Sequence, residues 1–447
     1  MNSTNELKHV LTFKDLFSQA VGQIIGVGVM TLLGSAIGLT GRSVPFAFLI
    51  STLIVIGYAL PYILICSTAR VKGGTYTMIG MLADKRLCGV QALMNVFGNL
   101  SIGMYGLSLA SYFISFFGFG DAKVIAFICV TAFYLLNLFG VDKMASAQKI
   151  IVFMMSVALA LLVVFGLPHV QSTYFTEDFM TGGVTGFLQA GGLLTYAIAG
   201  ASTITAMSGE AKNPTRDIPL AIIASTLAVA VLYAFIAVVA AGVLPVSQVA
   251  NENLSQVAQM VLSKPLYAFF MICGAMFALI STLNSQLAAG TKPMLQACRD
   301  GWFPEKLGYL HPKYRTPVYL LTILYGVAVF TIFSGMSIKV ITNLCLICNG
   351  INILITCIAV VRLPKVCPDG WANSRFHCSK GVLYLIAAYA TAAELFSIYL
   401  NLSQLKPKIL AGNIVMIVVA VVFALTRYPH TSINPSYVEL GKEKPEE

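Results

Sequence analysis

Long runs of apolar residues alternate with short polar segments along the whole chain. Each run is long enough to cross a bilayer as a helix, which takes about 20 residues. None of the runs keeps a period of two for long, so helices are predicted rather than the strands of a membrane barrel. The twelve predicted membrane-spanning helices lie near residues 15–40, 44–69, 87–117, 123–140, 145–167, 183–208, 218–245, 265–291, 316–335, 338–362, 380–402 and 407–426.

The composition agrees with a protein embedded in a membrane. Hydrophobic residues make up 57% of the chain and charged residues only 10%, whereas soluble domains carry about 25% charged residues. The mean hydropathy is +0.82. The net charge of +10 comes from basic residues in the loops between apolar runs, so it does not indicate a nucleic-acid partner. We expect one polytopic domain in contact with the lipid bilayer and no soluble domain.

The lysines and arginines are distributed unevenly between the two faces that twelve spans would create. The face that carries both termini has 22 of the 28 basic residues. Because basic loops tend to stay in the cytoplasm, both termini are predicted to be cytoplasmic. The short termini and loops are typical of a prokaryotic protein, which would lie in the cell (inner) membrane.

The first apolar run contains a glycine-rich interruption. Gly22, Gly26 and Gly28 lie in the middle of the run, and each glycine weakens a helix by about 1 kcal/mol relative to alanine. A break at membrane depth frees backbone polar groups, which is tolerated only where the break lines a cavity. We therefore predict a ligand site at residues 24–29, with close helix packing through small residues as the alternative.

The sixth apolar run has a second candidate interruption. Small and hydroxyl-bearing residues fill its middle, from residue 191 to residue 209. This run begins a second block of five spans, as the first run begins the first block, and five is odd, so the second block would be inverted. Interruptions at corresponding places in two halves point to a transporter site. Close packing is again the alternative.

The ends of the two broken helices predict the chemistry of the ligand. A half-helix that begins near Val29 offers N–H groups to a carboxylate. Half-helices that end near Ile24, and near Tyr196 and Ala197, offer carbonyls to an ammonium group. We expect a site without an ionised side chain, because the acids nearest a span are placed at the cytoplasmic edges: Glu210, Asp217 and Asp300.

Four sequence motifs resemble those of the amino acid–polyamine–organocation (APC) superfamily of transporters. They are G-x-I-I-G-x-G-V at 22–29, R-x-K-G-G-x-Y at 70–76 (70RVKGGTY76), the block at 209–222 with Glu210, Lys212, Asn213 and Pro214, and the segments 299–304 and 311–317. The resemblance implies an all-α membrane protein with the leucine-transporter-type five-plus-five inverted repeat and alternating access. The repeats would be 15–167 and 183–362, with two further helices at 380–426 and cytoplasmic tails at 1–14 and 427–447.

The resemblance also implies which residues contact a substrate. Tyr196 has the position of an aromatic gate, with a packing tyrosine as the alternative. Ser202 lies where arginine and polyamine antiporters carry an acid, which favours a neutral substrate. Asn99 and Asn284 match substrate-facing positions, with hydrogen bonds between helices as the alternative. By position, the carboxylate would meet the backbone at Val27, Gly28 and Val29, and the ammonium would meet carbonyls at Ile24, Tyr196, Ala197 and Ala199.

The sequence does not decide whether transport is coupled to an ion, and it gives one indication about partner proteins. Ser281 and Thr282 lie near the sodium site of sodium-coupled relatives, but bonding to their own helix is the favoured alternative. Met155 replaces a lysine that relatives use as a proton switch, and Lys149 is expected to reach the membrane surface. Coupling to Na⁺ or H⁺ and ion-free exchange all stay possible, and no metal or other cofactor is expected. The loop 118–123 lacks cysteine, so no disulfide-linked heavy subunit is expected.

Together these features predict a secondary transporter that moves a neutral L-amino acid across the plasma membrane, as an exchanger or an ion-coupled symporter. One alternative is a basic amino acid or polyamine antiporter. Another is a membrane sensor that binds an amino acid without moving it. An enzyme is the least supported class, because all five histidines lie outside the spans or at their ends and no catalytic set is present in the sequence.

Overall fold

The computed structural model describes residues 11–139, 144–314 and 316–442, apart from the side chains of 144–147 and 288. Residues 1–10 and 443–447 of the two predicted tails lie outside the described residues, as do residues 140–143 between the fourth and fifth predicted spans. The described part of the chain is mostly helical.

Twenty α-helices follow one another along the described chain. The first ten are α1 Phe13–Ile24, α2 Leu33–Thr40, α3 Val44–Thr68, α4 Thr75–Leu82, α5 Leu87–Gly98, α6 Ser101–Phe117, α7 Ala122–Leu138, α8 Met144–Gly166, α9 Gly183–Ile198 and α10 Pro214–Gly242. The others are α11 Val246–Val249, α12 Ser255–Val261, α13 Lys264–Phe269, α14 Phe277–Arg299, α15 Val318–Phe333, α16 Ile338–Ala359, α17 Leu363–Val366, α18 Pro368–Asn373, α19 Lys380–Leu402 and α20 Pro407–Arg427.

The helices coincide with the apolar runs of the sequence. Within the described residues, nine helical stretches are long and apolar enough to cross a membrane. The first of them, Phe13–Thr68, covers two predicted spans, and two shorter apolar helices, α7 and α15, cover two more. The protein is therefore a multi-pass membrane protein. The count of twelve spans, the inverted repeat and the domain bounds stay predictions.

The outer surface of the bundle is apolar. Large hydrophobic side chains such as Leu53, Phe153, Leu385 and Val418 are more than half exposed, and they belong to α3, α8, α19 and α20. Soluble monomers rarely expose apolar surface over so many neighbouring elements. This surface fits the hydrocarbon of a bilayer, where exposed leucine and valine cost nothing.

The two segments with unusual backbone lie in the middle of the bundle. Helix α1 packs against α8, α10 and α14, and also against the 3₁₀ helix Ala199–Met207 that follows α9. Helix α3 lies against α9, α10 and α19 and forms a wall beside them. The interrupted segments are thus enclosed by neighbouring helices rather than exposed to lipid.

One end of the bundle is closed by backbone pairing between distant parts of the chain. Strand β1, Ala69–Val71, pairs antiparallel with β2, Tyr437–Glu439, which draws the C-terminal segment under α3. The chain before α1 joins the loop after the 3₁₀ helix, where the N–H of Leu11 donates to the carbonyl of Glu210 at 2.9 Å. These contacts form at the end of the bundle that the distribution of basic residues predicts to be cytoplasmic.

Candidate functional site

The interruption predicted in the first apolar run is confirmed by the structure. Helix α1 ends at Ile24, and the next residue, Ile25, has an extended backbone with φ −77° and ψ 102°. Helical geometry resumes as a π-helical turn at Gly28–Leu32 before α2 begins at Leu33. Single π-helical turns within helices are often found at functional sites.

Side-chain hydroxyls from two other helices lie within hydrogen-bond distance of carbonyls that this break releases. Tyr233 of α10 donates to the carbonyl of Ile24 at 3.0 Å. The hydroxyl of Thr282 on α14 lies 3.2 Å from the carbonyls of both Gly22 and Ile25. It also lies 2.9 Å from the carbonyl of Ala278 in its own helix, the bonding favoured from the sequence. The break is therefore held open by built-in partners.

The second interruption differs from the expected one. Helix α9 continues through Tyr196 and Ala197 to Ile198 and then tightens into the 3₁₀ helix Ala199–Met207. At nine residues, this helix exceeds the three or four residues at which most 3₁₀ runs stop. In an α-helix each carbonyl accepts from the N–H four residues later, and in a 3₁₀ helix from the N–H three residues later. The change from one pattern to the other leaves one carbonyl near the junction without a donor in its own helix. The polar backbone group is thus created by a change of helix type, not by an unwound segment.

Two hydroxyl side chains bond to carbonyls within this helix. The hydroxyl of Thr203 donates to the carbonyl of Gly200 at 2.7 Å, and that of Ser202 donates to the carbonyl of Ala199 at 3.4 Å. Both bonds reach three residues back, the spacing of a 3₁₀ turn. Such local bonds compete with regular α-helical bonding.

The two interrupted segments touch each other backbone to backbone. A Cβ atom placed on Gly28 would lie 2.3 Å from the Cα atom of Ala197. A Cβ atom placed on Gly200 would lie 2.5 Å from the carbonyl carbon of Gln23. Each segment therefore contributes a glycine at the point where the other segment's main chain comes closest. No larger residue fits at either position without moving a backbone.

A cavity of about 210 Å³ lies at this contact. Its wall is built from both interrupted segments and from α3, α5, α6, α14, α16 and α19. The predicted site residues in its wall are Ile24, Val27, Gly28, Tyr196, Ala199, Ser202 and Thr282. The predicted residues that do not line it are Val29, Ala197, Ser281, Asn99 and Asn284, all of which are buried in helix packing.

The two predicted asparagines make hydrogen bonds between helices. Asn99 accepts from the amide of Gln286 at 3.2 Å. Asn284 accepts from the amide of Asn137 at 2.8 Å. Ser281 is engaged in a similar way, because it accepts from the amide of Gln148. These contacts are the alternative that the sequence had left open, polar bonding within a helical bundle.

Two tyrosines meet across the cavity. The hydroxyls of Tyr105 on α6 and Tyr196 on α9 are 2.9 Å apart, and both side chains line the cavity. At the other end, the lining continues to Gly74, Thr75 and Ala206, next to the end of the bundle where β1 and β2 pair. The tyrosine pair links two helices that would have to separate for the cavity to open between them.

Four polar side chains of the cavity wall were not singled out from the sequence. Gln23, Gln91, Asn352 and Glu394 are each at most 7% exposed. Each has one buried polar atom without a partner among the described residues. Buried polar atoms are nearly always bonded, so unpartnered ones in a cavity wall mark places for ligand groups.

The expectation that the acids lie only at the edges of the spans is wrong. Glu394 lines the cavity, and it lies within the run predicted as a span at 380–402. The error comes from weighing only the acids near span ends. The signal was the residue itself, because an ionisable side chain inside a span is rare and marks function by default.

Comparison with known proteins identifies the family of this chain. A family model described as amino acid permease matches residues 11–430. The chain belongs to the amino acid permease family. This confirms the resemblance to the APC superfamily of amino acid transporters.

Relatives of this permease include proteins named for different amino acids. It is 24% identical to the branched-chain amino acid permease BcaP of Bacillus subtilis, over 96% of this chain and 95% of that protein. It is 25% identical to the serine/threonine exchanger SteT of Bacillus subtilis, over 70% of this chain and 74% of that protein. It is 23% identical to the vacuolar cationic amino acid transporter 4 of Arabidopsis thaliana, over 82% of this chain and 65% of that protein.

We predict that Gly28→Ala separates the two interrupted segments. The added Cβ atom would overlap the main chain at Ala197, and overpacking of this kind costs about 1–3 kcal/mol. The variant should show a lower melting temperature in detergent and a loss of amino acid transport of about fivefold or more, since about 1.4 kcal/mol is a factor of ten. The matched control is Gly326→Ala in α15, where an added Cβ atom meets nothing within 4 Å. A Gly28→Ala protein with the stability and exchange of the control would contradict the assigned contact.

Proposed function

We propose that the permease is a secondary transporter that moves a neutral L-amino acid across the cell membrane by alternating access. The observation that carries the proposal is the cavity at the backbone contact between the two interrupted helices. Binding sites of secondary transporters lie where discontinuous helices meet at the middle of the membrane.

In this proposal the main chain holds the groups that all amino acids share. The N–H groups of Val27 and Gly28, at the start of the π-helical turn, receive the carboxylate. Carbonyls at the ends of α1 and α9, at Ile24, Tyr196 and Ala199, receive the ammonium group. Val29 and Ala197 then support the site from behind, because both are fully buried and neither lines the cavity.

A neutral substrate is supported by the wall around the 3₁₀ helix. Ser202 is uncharged and turns its hydroxyl back to the carbonyl of Ala199. Its neighbours Ala199 and Gly200 are small, which leaves room for a short aliphatic or polar side chain. The second candidate is a basic amino acid or polyamine antiporter, which is favoured by the carboxyl of Glu394 in the opposite part of the wall.

We further propose twelve spans in a five-plus-five inverted repeat, with both termini in the cytoplasm of a prokaryotic cell. The unequal distribution of lysine and arginine supports this orientation, and relatives from Bacillus subtilis support the source. With this orientation the pair of Tyr105 and Tyr196 closes the outer side of the cavity, while its lining extends toward the cytoplasmic end. Exchange and ion-coupled symport both fit this geometry.

The test is counterflow in proteoliposomes loaded in parallel with unlabelled leucine, alanine, serine, arginine or putrescine. We expect labelled neutral amino acid to accumulate only against internal neutral amino acids. Preferred exchange of arginine or putrescine would instead establish the antiporter for basic substrates. Binding without any counterflow would establish a sensor and end the transport proposal.

We predict that Tyr196 acts as a gate through its ring. Tyr196→Ala should reduce transport at least about tenfold, because the wall between the substrate and the outer side is lost, while Tyr196→Phe should lose no more than about fivefold, since a neutral hydrogen bond contributes only about 1 kcal/mol. Initial rates of exchange measure both variants, with Tyr319→Ala on the exposed face of α15 as the control. Equal rates for Tyr196→Ala and the control would exclude the gate.

A further inference from the structure

Glu394 is an acid placed in the wall of the substrate cavity within an apolar helix. It lies in the middle of α19, is 3% exposed and lines the cavity. Its Oε2 atom has no hydrogen-bond partner within the described residues.

The groups that face Glu394 from α3, α16 and α9 carry no positive charge. Helix α3 presents Tyr58 and Tyr62 to it, and α16 presents Cys357 together with the amide of Asn352. On α9 the titratable group is Tyr196, which is bonded to Tyr105. The turn after α16 carries Arg362, whose guanidinium donates to the carbonyl of Leu82 at 3.4 Å. No lysine or arginine within the described ranges forms an ion pair with the carboxyl group.

The helix facing α19 leaves space for the carboxyl group. A Cβ atom placed on Gly350 of α16 would lie 2.5 Å from the Oε1 atom of Glu394. Any larger residue at Gly350 would therefore displace the carboxyl group. Space is thus provided on one side by a glycine and on the other by the cavity.

Burial without a cation determines the charge that the group can carry. An isolated carboxylate in a low-dielectric interior is so costly that the group takes up a proton instead. Water that enters the cavity would stabilise the ionised form and allow the proton to leave. The protonation of Glu394 therefore depends on whether the cavity wall around it is dry or wet. The access of water to this wall changes when a transporter alternates between its states.

We propose that Glu394 is a proton-binding site that couples amino acid movement to the proton gradient. The carboxylic acid keeps its proton while its part of the wall is dry. When water reaches it, the O–H bond breaks, the proton passes to a water molecule and the carboxylate remains. This inference rests on the proposed transport function and identifies its coupling ion and the side chain that carries it.

The transport experiment compares wild type with Glu394→Gln in proteoliposomes, using labelled amino acid that supports counterflow. We expect wild type to accumulate the amino acid several-fold when the outside is acidic, and Glu394→Gln to show no response to the gradient, each protein being compared with its own counterflow at equal pH. Glu394→Asp, which restores a carboxyl group, should recover part of the response. Glu305→Gln, at an exposed position of the 3₁₀ helix Glu305–Gly308, is the matched control and should behave as wild type.

The outcomes separate this inference from the function on which it rests. Accumulation driven by the gradient in Glu394→Gln, or a wild type with counterflow but no response to pH, overturns the proton site alone. A wild type without counterflow of any amino acid overturns the transport function. Loss of exchange by arginine only, with the response to pH intact, would make Glu394 a counter-ion for basic substrates instead.

A second measurement uses the wild-type protein and therefore does not depend on the folding of a variant. Dicyclohexylcarbodiimide adds to protonated carboxylic acids in apolar surroundings, and mass spectrometry of peptides locates the adduct. On the wild-type protein in lipid we expect the adduct at Glu394, in decreasing yield as the pH is raised, and none at Glu305. An unmodified Glu394, or a yield that does not change with pH, would overturn the proposal.

Discussion

The structure depends on one constraint, which is that a helix interrupted inside a membrane must find partners for the backbone groups it releases. The break after α1 meets this constraint through hydroxyls from α10 and α14, which reach the carbonyls of Ile24 and Ile25. With these carbonyls bonded, the N–H groups at the start of the π-helical turn and the junction after α9 remain beside the cavity. The same contacts that stabilise the break therefore shape the site.

Close contact between the two segments follows from their small residues. Glycine at positions 28 and 200 lets one main chain approach the other, and the 3₁₀ helix is narrower than an α-helix would be there. The remaining helices complete the wall with single polar side chains, including Gln23, Gln91 and Asn352, whose buried atoms have no protein partner among the described residues. A backbone site for the common part of an amino acid and a side-chain wall for its variable part thus share one cavity.

Much of the helical pattern could be read from the sequence, because apolar runs of membrane length leave few alternatives to helices. The break in the first run was also predictable, since three glycines at the centre of a span weaken the helix where the neighbours can replace its bonds. The state of the second break was not predictable. Its small residues permit either an unwound segment or a tightened one, and the sequence does not decide between them.

The side chains of the site were harder to predict than its backbone. Asn99 and Asn284 are polar residues in apolar helices, and their sequence does not reveal whether they turn toward a cavity or toward the next helix. The structure turns both toward neighbouring helices. Glu394 could have been identified from the sequence, because an acidic residue within a membrane span is unusual whatever its neighbours are. Its position in the cavity wall, however, depends on how α19 packs against α3 and α16.

The central claim is that main-chain groups at the two breaks hold both ends of a zwitterion. The most direct test is competition against exchange of a labelled amino acid by two analogues, one without the carboxylate and one without the ammonium group. Because a hydrogen bond to a charged group contributes about 1.5–3 kcal/mol, each analogue should compete at least about tenfold more weakly than the amino acid. Undiminished competition by either analogue would contradict the account.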